Sequence, residues 1–192
     1  YNAARPILEN YQMPATFFIV SGMVGERSEF WWDELERIVL SGGPLPNAFD
    51  LTLKEKRYRW RLNGDPTIPP NCYEKASETV PNENADLSNL QFFYGLWSVL
   101  VDMTIEEKKG CLEKLKEWRG KVTPARESFF PMNQTQIKAL SNSLFEVGAH
   151  TVTHSSLAAL KAEEQKLEIK KSGQVLSEMI NGPVRSFAYP FG

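Results

Sequence analysis

The chain holds two histidines, His150 and His154, and they stand four residues apart in His150-Thr151-Val152-Thr153-His154. Imidazole is the commonest metal-ligating side chain, and at neutral pH it binds a divalent ion without first losing a charge. Two imidazoles at this spacing can reach one ion from a single turn of backbone. The pair is therefore read as two ligands of a divalent metal. The alternative is a surface or capping role.

The elements that must position this pair follow from the pattern around it. Leu144-Phe145-Glu146-Val147-Gly148-Ala149 reads as a strand that delivers His150 at its C-terminal end. Ala15-Thr16-Phe17-Phe18-Ile19-Val20 is a short continuous apolar run closed by Ser21-Gly22, as expected of a strand buried on both faces of a parallel sheet. Val184 to Tyr189 reads as a further strand, ending in Pro190-Phe191-Gly192. Helices are expected over 2–11, over 28–40 with Ser28 as N-cap, over 134–141 with Asn133 as N-cap, and over 162–180, where Gly182-Pro183 ends the last. Alternation of this kind implies an α/β fold with a parallel sheet, and such folds carry their chemistry at the C-terminal ends of strands.

Residues 44–133 differ in texture. A β-hairpin is expected across 51–62, with Tyr58, Trp60 and Leu62 on one face. A Pro- and Asn-rich loop follows over 64–86, then helices over 87–102 and 104–119. Thr104-Ile105-Glu106-Glu107 is a capping box at the start of the second helix. The stretch reads as an inserted α+β subdomain, which divides the chain into 1–43, 44–133 and 134–192.

A net charge of -2 with both signs interspersed does not suit a nucleic-acid or anionic-membrane partner. No apolar run approaches the ~20 residues of a membrane span. Cys72 and Cys111 lack metal-type spacing and read as reduced structural thiols. Trp31-Trp32 reads as helix packing rather than a sugar platform, and Glu146 as a core-facing or bottom-layer polar group. The Lys and Glu residues of 161–171 read as a solvated helix face.

Four segments together carry a family resemblance: Arg5-Pro6-Ile7-Leu8, Pro14-Ala15-Thr16-Phe17-Phe18-Ile19, the His-Thr-x-x-His segment at 150–154, and Phe187-Ala188-Tyr189-Pro190-Phe191-Gly192. In order and strand context the chain resembles the NodB-type polysaccharide deacetylases, carbohydrate esterase family four, and a bacterial subgroup with a long insertion after the Trp31 to Leu35 helix. The resemblance covers the core at both ends of the chain and leaves out 44–133. It implies a distorted (β/α) barrel of seven or eight strands, incomplete in this chain, and a metal-dependent hydrolase. Such an enzyme cuts a non-peptide carbon–nitrogen bond to remove N-acetyl groups from the amino sugars of a glycan. The metal, commonly zinc, would be held by His150, His154 and one Asp. Tyr189 and Pro190 would bind substrate, and the backbone N–H of Phe191 would serve as an oxyanion donor. By residue pattern alone, Tyr189 and Phe191 can equally line a groove or pack in a core.

The family's Asp pair, one a ligand and one the general base, has no counterpart in these residues, nor has its general-acid histidine. An internal piece of a deacetylase, inactive by itself, is the expectation. Ala188 stands where the family often has an Arg that orients the base. Arg185, three residues earlier, falls on the opposite face of a strand. These departures leave open a catalytically degenerate carbohydrate-binding protein, and an amidase acting on a small cyclic amide. The compartment is left open between bacterial cytoplasm and cell envelope.

Overall fold

A computed structural model describes residues 1–53, 55–64, 86–140 and 144–191. Its elements are α1 (Ala4–Asn10), β1 (Ala15–Ile19), α2 (Trp31–Leu40), β2 (Ala48–Leu53), β3 (Lys56–Arg61), α3 (Asn89–Leu100), α4 (Ile105–Arg119), α5 (Gln134–Leu140), β4 (Phe145–Ala149) and α6 (Ala162–Ile180). The loop expected over 64–86 lies outside the described residues except for its two end positions. Cys72, residue 141 of the expected helix, and Gly192 lie outside them too.

The chain divides into two compact units, Tyr1–Ser28 with Phe130–Gly192, and Glu29–Phe129. In the first, β1 pairs with β4 in parallel, with Ala15 opposite Phe145 and Ile19 opposite Ala149. One face of this pair is apolar because alternate residues point the same way. Ile19, Phe145, Val147 and Ala149 are buried there with Ile137 of α5 and Leu176 of α6. The amphipathic stripe of α6 supplies Leu176, and its Asn181 cap takes a left-handed conformation (φ 52°) before Gly182-Pro183. Asn133 and Gln136 cap α5 reciprocally, each backbone N–H donating to the other's side chain at 2.9 Å.

The strand expected over 184–189 reduces to one parallel bridge, Phe187 to Ala149. The Ala149 N–H donates to Ser186 O (2.8 Å) and the Ala188 N–H to Ala149 O (3.0 Å). The Pro183 and Pro190 that flank the segment leave only its middle in register.

The second unit contains α2, α3, α4 and the antiparallel hairpin of β2 and β3, which pairs Ala48 with Arg61 and Leu53 with Lys56. Its core gathers Leu35, Ile38 and Val39 with Phe49, Trp60, Phe92, Leu96 and Leu115. The capping box at Thr104 forms, with Glu107 N–H donating to its hydroxyl (3.2 Å). Helix α2 packs here and not with the part expected over 1–43. Its start is also later than expected: Phe30, extended at ψ 153°, precedes the first turn. Ser28 stays outside because Glu29 turns inward, where its buried carboxylate accepts from Arg37 and Arg126. Among the described residues there are two two-stranded sheets, neither closed, and no helix long and apolar enough to cross a membrane. The fold is a mixed α/β arrangement.

Candidate functional site

Three segments meet at the C-terminal edge of the β1–β4 sheet. The register aligns Ile19, Ala149 and Phe187, so the residues that follow each come to one rim. The backbone ties them together: His150 N–H donates to Ile19 O (3.0 Å), Ser21 N–H to Thr151 O (3.1 Å) and Gly22 N–H to Val152 O (2.9 Å). The close approach at Gly22 requires glycine, since a Cβ there would lie 2.5 Å from Val152 O.

The two histidine rings lie 4.6 Å apart between centroids at an interplanar angle of 80°. His150 Nδ1 is 2.9 Å from Ala188 O. A carbonyl oxygen only accepts, so Nδ1 is the donor in this contact and Nε2 is the ring nitrogen left to face a ligand. Phe191 places its ring 4.9 Å from that of His154, nearly perpendicular to it.

The loop between the histidines is held in an unusual backbone. Thr151 (φ 65°) and His154 (φ 56°) both occupy the left-handed region. For an L residue that region costs ~1–2 kcal/mol each, so the surroundings must over-determine it. Thr151, fully buried, does part of this locally: its hydroxyl donates to His150 O (2.6 Å) and accepts from His154 N–H (2.9 Å). The remaining constraint comes from α6. Glu168 accepts from the backbone N–H groups of Val152 (2.7 Å) and Thr153 (2.9 Å), and from the Thr153 hydroxyl (2.9 Å).

The placement of the sequence-derived site residues is thus uneven. His150, His154 and Phe191 come together. Tyr189 lies on the same segment, 63% exposed, with its ring against Phe187. Pro190 is buried. Ala188 enters the site through its carbonyl oxygen rather than its side chain. Glu146 is exposed on the uncovered face of β4 and accepts from Ser186 Oγ (2.6 Å) and Thr16 Oγ1 (3.3 Å). The face of α6 read as solvated is not uniformly so, because Glu168 turns toward the loop; its one sequence signal was its place two turns into the helix after the second histidine. Among the described residues no three His, Cys, Asp or Glu converge as a complete metal set.

The family model for polysaccharide deacetylase matches residues 112–192. The match begins within α4, inside the stretch read as an insertion, and takes in α5, β4, the histidine loop, α6 and Phe191. Comparison with curated proteins gave no match, and comparison with solved structures gave none. Members of the matched family are hydrolases that deacetylate polysaccharides, and the match over residues 112–192 supports a NodB-type polysaccharide deacetylase domain, partial in this chain.

Proposed function

We propose that the rim formed by His150, His154 and Phe191 belongs to a metal-dependent N-deacetylase that acts on acetylated amino sugars of a glycan. The observation that carries this reading is the histidine pair itself. It stands at a strand end inside the matched stretch, with the rings juxtaposed and His150 oriented through Nδ1. Metal-ligating histidines characteristically donate their other ring N–H to a carbonyl or carboxylate, which is what Ala188 O receives here. The donor set fits a divalent ion, zinc being the family's usual one, as two neutral imidazoles. The third ligand, a carboxylate by resemblance, comes from residues other than those described.

Lewis acidity and an acidified water at neutral pH are the chemistry such an ion supplies. The chain's own part is to orient and to exclude. Hydrogen bonds at Ala188 O and Thr151 Oγ1 hold the histidine loop rigid before substrate arrives. The Phe191 N–H is the donor proposed for the carbonyl oxygen as it gains negative charge in the transition state. The exposed ring of Tyr189 offers an apolar face to the C–H face of a pyranose. In this reading the β1–β4 sheet is one part of a (β/α) barrel, and residues 44–133 are an inserted subdomain.

The test uses the full-length protein: metal content, and acetate release from an N-acetylglucosamine oligomer, for wild type, His150→Ala and His154→Ala. Bound zinc that is lost in both variants, with acetate release lost alongside, is expected. Wild-type protein with no divalent metal would sink the site; metal without acetate release would sink only the substrate. A second reading, a glycan-binding protein on a degenerate deacetylase fold, draws support from Ala188 in place of the family's Arg. It predicts oligosaccharide binding with no acetate released under any metal loading.

A further inference from the structure

We propose that Glu168 is a positioning residue for the two histidines: from α6 it clamps the backbone between them, so that their rings face one another before any ion or substrate binds. The inference rests on the metal-site reading above. Its physical basis is the hydrogen-bond arrangement. One carboxylate oxygen of Glu168 accepts from two successive backbone N–H groups, Val152 (2.7 Å) and Thr153 (2.9 Å), and the other accepts from the Thr153 hydroxyl (2.9 Å). The Thr153 hydroxyl in turn lies 2.7 Å from Ser155 Oγ, which carries the constraint past His154.

Two features distinguish this from ordinary helix-surface chemistry. Glu168 is the seventh residue of α6, beyond the first turn, so neither capping nor the helix dipole accounts for a half-buried carboxylate at this place. The peptide groups it grips join two left-handed residues, Thr151 and His154. Such a backbone persists only when its surroundings fix it. Thr151 fixes the loop to itself, through His150 O and His154 N–H. Glu168 alone, of the side chains described, ties the stretch between the histidines to α6, and it does so with charge-assisted bonds, which are the stronger kind. Its oxygens are taken up by these donors, so it acts through the loop rather than as a ligand.

The experiment titrates cobalt(II) into metal-stripped full-length protein, wild type against Glu168→Ala and Glu168→Gln, and follows amide hydrogen exchange at Val152 and Thr153 in the metal-free state. Loss of a group that orients a metal ligand typically lowers affinity about tenfold to a hundredfold, and Glu168→Ala is expected in that range. Glu168→Gln keeps an acceptor oxygen for the two amides, so its loss is expected to stay below about tenfold. A residue that merely stabilised the fold would lower the unfolding midpoint and leave cobalt affinity at the wild-type value. That result for Glu168→Ala would overturn the proposal. Should this variant not fold, the wild-type exchange rates decide: both amides are expected to be strongly protected, and exchange as fast as in an unstructured peptide would overturn the clamp. Wild-type protein that binds no cobalt overturns the metal reading instead, and the exchange rates then still decide whether Glu168 holds the loop.

Discussion

Thr151→Val isolates the local half of the site's pre-organisation. Valine matches threonine in shape and β-branching, so it adds no new backbone strain at φ 65°. Only the hydroxyl is deleted. Two partners are affected, in a place with no access to water. His154 N–H loses its acceptor at 2.9 Å, and His150 O loses its donor at 2.6 Å. A buried group left unsatisfied costs about 1–3 kcal/mol, with the carbonyl toward the low end because it has a second lone pair. The sum is a loss of about 2–4 kcal/mol. Thr151→Ser retains the hydroxyl and gives up one methyl, about 1 kcal/mol. The comparison should be made by urea unfolding followed by far-UV circular dichroism, with exchange of the His154 amide as the site-specific probe. Circular dichroism is preferred to tryptophan fluorescence because Trp31, Trp32, Trp60, Trp97 and Trp118 all lie in the unit Glu29–Phe129. If valine costs no more than serine, or if the His154 amide exchanges no faster in the valine variant, the account of the loop fails.

Further expectations concern both units. Gly22→Ala sets a Cβ 2.5 Å from a backbone oxygen that cannot swing away, Val152 O, and should cost about 1–3 kcal/mol in the same unfolding assay; a neutral result would mean that the loop yields freely. Asp33 has its carboxyl pushed up to about 6, chiefly by desolvation, against the pull of Arg126 and with Glu36 and Glu29 adding repulsion. A raised carboxyl pKa favours the folded state below pH ~4 and loses that advantage as pH rises through ~6. Asp33→Asn should therefore gain on wild type by about 1–2 kcal/mol at pH 8, after discount for partial exposure, and gain nothing at pH 4. Tryptophan fluorescence is the right probe for this variant, and a gain independent of pH would refute the assignment. Cys111 is buried, its thiol pushed up to about 12 by desolvation, so native protein should resist iodoacetamide at this cysteine at pH 8; peptide mapping that finds it alkylated as fast as in urea would contradict the packing.

What was legible in the sequence was local. The histidine pair, the Thr104 and Asn133 caps and the face shared by Trp60 and Leu62 each depend on residues within a turn or a pleat of one another, and period and spacing reveal such relations directly. What escaped was the set of partners brought in by the fold. Glu168 meets its amides across 15 and 16 positions, and its exposed neighbours Lys166, Lys170 and Lys171 give its stretch the composition of a solvated face. Glu29, overlooked beside the Ser28 expected to start α2, gains its partner Arg126 across 97 positions. The position at 188 shows most plainly why side-chain reading stops short. Judged by side chain, alanine there reads as a loss against the Arg that the resemblance leads one to expect. Judged by backbone, nothing is lost at His150, since the carbonyl 2.9 Å from Nδ1 belongs to whichever residue stands at 188. The orientation of the imidazole is thus separable from the orientation of a general base. A chain can keep the first while giving up the second, and the metal test and the acetate-release test above address the two functions one at a time.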